Sequence, residues 1–171
     1  METLIAFFSH KGETYYSEGI SWRNKGNANV IADKLKEMTG ADIFEIKTIK
    51  EYPSDYKKCC DVALQEQQEN IFPPLKEYVK DMENYKKIIL VYPNWWGTMP
   101  QAVFTFLSLY DFSNKIIYPI CTHEGSKMGR SVDDIKKSCP LSRVNDGLAI
   151  QGSYVSCCDE KLNKYLKIIK K

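Results

Sequence analysis

Three short and almost uninterrupted apolar runs stand out along the chain: Leu4-Ile5-Ala6-Phe7-Phe8, Ile88-Ile89-Leu90-Val91-Tyr92 and Ile116-Ile117-Tyr118-Pro119-Ile120-Cys121. Runs of this length without alternation fit strands buried on both faces, as in a parallel sheet covered by helices. Asp42-Ile43-Phe44-Glu45-Ile46 alternates more and reads as an edge strand, and Gly147-Leu148-Ala149-Ile150 is a weaker fifth candidate. Pro119 conflicts with its run. Proline cannot donate to a ladder and is normally kept out of central strands, so a bulge or a frayed end is expected there.

Helical periodicity fills the gaps. Asn27 reads as the cap of a helix carrying Ile31, Leu35 and Met38 on one face, with Gly40 just past its end. Pro100 suits a helix start and is followed by Val103, Phe104, Leu107 and Tyr110. Ser131 is placed to cap a helix with Val132 and Ile135 inward, and Asp159 one with Leu162, Leu166 and Ile169 inward. Residues 54–82 read as two helical pieces, the first starting at Ser54, broken by Pro73-Pro74. Strands alternating with helices predict a doubly wound α/β fold with a parallel sheet. A chain of 171 residues, with no linker or repeat, is read as one domain, 1–171.

Composition removes several function classes. With 43% hydrophobic and 27% charged residues the chain is neither disordered nor a membrane span. No stretch approaches the ~18–20 apolar residues of a spanning helix. The start, Met1-Glu2-Thr3-Leu4, lacks a basic region and a cleavage site, so a cytoplasmic location is expected. The 24 basic and 22 acidic residues nearly cancel, which gives no footing for nucleic-acid binding. The basic tail, Lys161 to Lys171, suits the negative end of a final helix. Six cysteines occur as the adjacent pairs Cys59-Cys60 and Cys157-Cys158 and as lone Cys121 and Cys139. No C-x-x-C is present and there are two histidines, so reduced thiols and no metal site are expected.

In an open parallel sheet, ligands bind at the carboxyl ends of the strands. After the first strand come Ser9-His10-Lys11-Gly12-Glu13 and a long polar stretch to Lys25-Gly26-Asn27. Asn27 opens a helix, whose free N–H groups and dipole suit a phosphate; an ordinary polar loop before a capped helix is the plainer alternative. After the third come Pro93-Asn94-Trp95-Trp96-Gly97-Thr98, where two tryptophans suit a flat aromatic ligand or else pack on the following helix. After the fourth come Thr122-His123-Glu124-Gly125-Ser126, with hydroxyls and an imidazole for the polar edge of a heterocycle. No P-loop, no G-x-G-x-x-G after the first strand and no G-x-S-x-G elbow is present.

Taken in order, Phe8-Ser9-His10-Lys11-Gly12-Glu13, Gly26-Asn27, Tyr92-Pro93-Asn94-Trp95-Trp96-Gly97-Thr98-Met99-Pro100, Phe106-Leu107 with Tyr110-Asp111-Phe112, and Cys121-Thr122-His123-Glu124-Gly125-Ser126 resemble the flavodoxin family, which binds flavin mononucleotide (FMN). The resemblance runs from Leu4 to about Gly152 and is closest to bacterial members with an expanded first loop. It implies a five-stranded sheet ordered 2-1-3-4-5 between helical layers. It also implies that Ser9, Gly26, Asn27 and the N–H of Ala28 hold the FMN phosphate, with His10, Lys11 and Lys25 also at the cofactor, that Pro93, Asn94, Trp95, Trp96 and Gly97 cover the ring, and that Thr122, His123, Glu124 and Gly125 bind the rest of it. Gly97 is then the candidate for a redox-linked peptide flip, and a protonated His123 for contact with reduced flavin. Two departures matter: Ala28 stands where the family commonly has Thr, removing a hydroxyl, and the chain is mildly basic where typical carriers are acidic. The implied function is electron transfer, with an NAD(P)H-dependent FMN oxidoreductase acting on a quinone or another small acceptor as the alternative. The implied partners are redox proteins or a small-molecule acceptor, with the protein a monomer or homodimer.

Overall fold

The computed structural model describes residues 2–170. The elements, in chain order, are β1 (Thr3–Phe7), β2 (Gly12–Tyr16), β3 (Gly19–Arg23), α1 (Asn27–Thr39), β4 (Asp42–Glu45), α2 (Tyr56–Gln68), β5 (Lys87–Pro93), α3 (Gln101–Ser108), β6 (Ile116–His123), α4 (Ser131–Ser138), β7 (Arg143–Val144), β8 (Leu148–Gln151) and α5 (Asp159–Ile169). Short 3-10 turns lie at Met82–Asn84 and Gly152–Cys157.

The main sheet runs β4-β1-β5-β6 and ends on β7, with β8 also paired to β6; every pairing in it is parallel. The apolar runs lack alternation because both sheet faces are covered. Ile5, Ile89, Val91 and Ile120 pack with Ile31 and Leu35 of α1 and Leu162 and Leu166 of α5. Leu4, Ala6, Ile88 and Leu90 pack with Val103 and Phe106 of α3 and Ile135 of α4. The sheet departs from five strands in the order 2-1-3-4-5 in one respect: its outer edge is built from two short pieces, giving six strands.

That interruption accounts for Pro119. β7 pairs with Ile116–Ile117 and β8 with Ile120–His123, so Pro119 lies opposite the gap between them. The donor that proline lacks is not needed there, and its carbonyl accepts from the Tyr165 hydroxyl at 3.2 Å.

Three local expectations change. The polar stretch after β1 is not a loop: β2 and β3 form an antiparallel hairpin with Tyr15 opposite Ile20 and Glu13 opposite Trp22. Aromatic and β-branched residues stabilise such a ribbon. The second helical piece before residue 82 does not form. Pro73-Pro74 remove two donors and hold the chain extended. The segment instead bonds to residues 47–49 through Ile49 N–H to Pro74 O (3.0 Å) and Lys76 N–H to Lys47 O (2.8 Å). The expected caps shift by one residue. Asn27, Ser131 and Asp159 are first helical residues and cap nothing with their side chains. α2 is capped by Asp55, not Ser54, with the carboxylate accepting from Lys58 N–H at 2.8 Å. Gly40 ends α1 as expected, at φ 68° with its N–H on Lys36 O.

Candidate functional site

The carboxyl ends of β1, β5 and β6 bring the three polar loops to one edge of the sheet, around a cleft of about 650 Å³. This lies within the ~300–1,000 Å³ of small-molecule sites. Ser9, His10, Asn27, Ala28, Pro93, Asn94, Trp95, Trp96, Thr122, His123, Glu124 and Gly125 all line it. Lys11, Lys25 and Gly26 line an adjacent cavity instead, and Gly97 lines neither.

The α1 end of the cleft presents free backbone donors. Ser9 Oγ accepts the Asn29 N–H at 3.2 Å, and Gly26 O accepts that of Val30 at 3.1 Å. The N–H groups of Asn27 and Ala28 have no acceptor among the described residues, and both residues line the cleft. Unused donors at the positive end of a helix dipole attract an anion. Gly26 is required by close approach: a Cβ there would lie 2.2 Å from Ser9 Oγ and 2.3 Å from His10 O. Asn27 is held by the Tyr16 hydroxyl, which donates to its Oδ1 at 2.8 Å, so the hairpin braces the helix start. Lys25 is turned to an ion pair with Asp33.

The loop after β5 is a tight turn. Trp95 N–H reaches Thr98 O at 2.8 Å, with Trp96 (φ 54°) and Gly97 (φ 84°) both left-handed at its tip. Asn94 Oδ1 accepts Gly97 N–H at 3.0 Å, and Arg130 N–H donates to Gly97 O at 2.8 Å. The Trp96 carbonyl accepts from Gln67 (3.3 Å) and Arg130 (3.4 Å). Both peptides flanking Gly97 are thus bonded at both ends, and a flip there would break these bonds. The two tryptophans differ. Trp95 meets Phe8, Tyr52 and His10 edge-on, with ring centroids 5.2, 5.0 and 6.0 Å away. Trp96 is 47% exposed and anchored by its Nε1–H on Cys60 O at 3.0 Å.

The loop after β6 divides its roles. Glu124 is turned to the chain itself, accepting from the Ser153 N–H at 2.6 Å and from the Gln151 side-chain amide Nε2 at 3.1 Å. It ties this loop to the 3-10 turn after β8. His123 Nδ1 accepts Gly125 N–H at 2.8 Å, which places its proton on Nε2. Burial holds the His123 imidazole below its ordinary value, which favours the neutral ring. Burial does the same at His10, whose ring nitrogen bonds the Pro53 carbonyl at 2.8 Å.

Sequence reasoning missed one whole wall. Glu13, Thr14 and Tyr15 of β2 and Tyr56, Lys57, Cys59, Cys60 and Ala63 of α2 also line the cleft. Glu13 fastens the two elements together, its N–H on Ser54 O and its carboxylate on Tyr56 N–H, both at 2.8 Å. Tyr15 and Tyr56 face each other with centroids 6.3 Å apart. Glu13, Thr14 and Tyr15 fall in the polar stretch that follows β1 but carried no assigned role, and α2 does not follow a strand end of the cleft, so the strand-end rule could not find its residues. No group of three or more His, Cys, Asp or Glu side chains placed to hold a metal ion occurs among the described residues. Burial pushes the Cys59 thiol up to about 12, keeping it protonated.

A family model described as flavodoxin matches residues 3–169. The chain belongs to the flavodoxin family. Its fold is shared with a flavoprotein of Lactobacillus acidophilus solved in complex with FMN, at 20% identity and TM-score 0.69, covering 96% of this chain and 97% of that one. A flavodoxin of Fusobacterium nucleatum bound to FMN aligns at 16% identity and TM-score 0.52 over 99% and 98%. An NADH:FMN oxidoreductase in its apo form aligns at 15% identity and TM-score 0.55 over 99% and 87%. No curated protein gives a significant sequence match. Among the described residues no helix is long and apolar enough to cross a membrane.

The two cleft histidines of this flavodoxin-family chain make its stability depend on pH. Both have folded-state values held below 6.5. As pH falls through 6.5 the unfolded chain takes up protons that the folded chain refuses, so stability falls. Urea unfolding at about pH 7.5 and about pH 5.5 is expected to show a lower midpoint at the acid value. His10→Gln, which cannot titrate, should flatten that slope; an unchanged slope would remove His10 as its source.

Proposed function

We propose that the cleft binds FMN, with the phosphate at the start of α1 and the ring system between residues 93–98 and 122–126, and that the protein passes electrons to or from a redox partner. The observation that carries the reading is the pair of unused N–H groups at Asn27 and Ala28, beside the Ser9 hydroxyl, in a chain of the flavodoxin family. Ser9 Oγ takes the Asn29 N–H on a lone pair and keeps its own hydrogen to donate. With Ala28 supplying no hydroxyl, Ser9 is the side-chain donor at the nest. FMN would supply the redox chemistry; the protein supplies binding, orientation and electrostatics. Trp96 and Pro93 exclude water from the ring site, and the neutral His123 offers an Nε2–H donor to its polar edge.

Trp96→Ala is expected to weaken FMN by up to about tenfold and to alter its bound visible spectrum, since an aromatic contact contributes about 0.5–1.5 kcal/mol beyond area burial. Trp96 rather than Trp95 is the ring contact of this reading, because Trp95 is already committed to Phe8 and Tyr52. An unchanged spectrum in a folded Trp96→Ala protein would make that indole structural.

A reductase of small acceptors is the second reading. It is favoured by the wall of β2 and α2 around the cleft and by the near-neutral net charge, where typical carriers are acidic. The two readings separate in stopped-flow. Hydride transfer requires nicotinamide held ~3–3.5 Å from the flavin. The carrier reading expects slow bleaching of bound FMN by NADH or NADPH and fast bleaching by a flavodoxin reductase. Rapid bleaching by NADPH alone, with quinone turnover, would establish the enzyme instead.

A further inference from the structure

The cavity beside the cleft, about 520 Å³, is not used by the cofactor reading. Ser9 and His10 line both cavities, whereas Lys11, Lys25 and Gly26, which the resemblance placed at the cofactor, line only this one. Lys47 and Lys76 also line it, against Glu45 and Glu51. Lys25 is paired with Asp33, and Lys47 lies 3.3 Å from Glu45. Lys11 and Lys76 have no carboxylate partner among the described residues. The cavity therefore presents ammonium groups in excess of carboxylates.

One wall is an indole. Trp22 is 58% exposed, and its Nε1–H donates to Asn24 Oδ1 at 2.9 Å, which fixes the ring's edge and leaves its face available. Its cross-strand partner Glu13 is tied to Ser54 and Tyr56 by two bonds of 2.8 Å. The hairpin that carries Trp22 is thus anchored to α2 rather than swinging free. A large exposed indole on a two-stranded ribbon is costly in water and suits a flat ring, and stacking tolerates any nucleobase. Asn24 and Ser54 add an amide and a hydroxyl of the kind that engage a ribose.

We propose that this second cavity binds a nucleoside phosphate, with the base against Trp22 and the phosphates at Lys11 and Lys76. The same chemistry is offered by a free nucleotide and by the adenosine end of a pyridine dinucleotide. The site is separate from the FMN nest and does not depend on that reading: Trp22 and Lys76 do not line the first cleft.

The test is calorimetric titration of the protein, with and without saturating FMN, using ADP, adenosine, inorganic pyrophosphate and NADH. FMN binding is followed separately by absorbance. The expected result is one ADP per chain in both conditions, with adenosine and pyrophosphate each at least about tenfold weaker, since each keeps half of the recognition. Trp22→Ala should weaken ADP by about tenfold and Trp22→Phe by less, because stacking on a phenyl ring persists. Lys76→Glu should weaken it by about fivefold, an effect that fades with added salt. NADH binding tighter than ADP would assign the site to the dinucleotide, and ADP binding tighter would assign it to a free nucleotide; both support the proposal. It is overturned if ADP does not bind at about millimolar concentration. It is equally overturned if FMN displaces ADP one for one, or if pyrophosphate binds as tightly as ADP and Trp22→Ala changes nothing.

Discussion

Asn27→Asp should nearly abolish FMN binding while leaving riboflavin almost untouched. Asn27 is the first residue of α1, and its N–H is one of the two unused donors in the nest. A carboxylate there would stand beside a phosphate dianion. At ~4 Å and an effective dielectric of ~20, each charge pair repels by roughly 4 kcal/mol, an upper figure that solvent relaxation reduces. Riboflavin carries no phosphate and escapes the repulsion. The fold is expected to survive, because a first-turn carboxylate suits the helix dipole and Asp still accepts the Tyr16 hydroxyl that Asn27 accepts now. Asn27→Ala is the control: it removes the Tyr16 contact without adding charge and should weaken FMN far less. Fluorescence quenching with both flavins reads the difference. An equal loss for both would place the phosphate elsewhere.

Gly26→Ala is expected to damage the same nest by sterics rather than charge. The new Cβ would fall 2.2 Å from Ser9 Oγ and 2.3 Å from the His10 carbonyl oxygen, and the latter is backbone that cannot rotate aside. Either the Ser9–His10 segment moves off α1 or the helix start shifts; both separate Ser9 from the N–H groups it works beside. Overpacking of this kind costs about 1–3 kcal/mol of stability, and FMN affinity should fall with the lost geometry. The thermal midpoint and the FMN titration should therefore drop together. A Gly26→Ala protein with wild-type stability and affinity would mean that the contact between these two segments is soft. Gly12 offers a comparison, since a Cβ there would meet the Ser54 backbone 2.6 Å away, at the join between the hairpin and α2 rather than at the nest.

The hydrophobic pattern by itself determined the layered α/β architecture. Apolar runs such as Ile88–Tyr92, short and set between helical patterns, fit strands covered on both faces, and Ile31 with Leu35 or Leu162 with Leu166 fit the inward stripes of covering helices. It also determined where the cleft lies, because the strand-end rule needs nothing but strand positions, and it reached Ser9, Asn27, Trp96 and His123 that way. Features that depend on residues distant in sequence needed the tertiary structure. The hairpin of β2 and β3 became a wall of the cleft only because Glu13 bonds Ser54 and Tyr56 more than forty residues away. The helix expected before Met82 lost to pairing with residues 47–49 once Pro73-Pro74 had removed its donors. Pro119 is harmless because the outer strand happens to break opposite it. The resemblance put Lys11 and Lys25 at the cofactor, yet both line a second cavity beside the cleft. Periodicity records which side of an element is buried. Which neighbour covers that side, and which way a polar side chain turns once its partners arrive, is settled by packing and hydrogen bonds between distant segments.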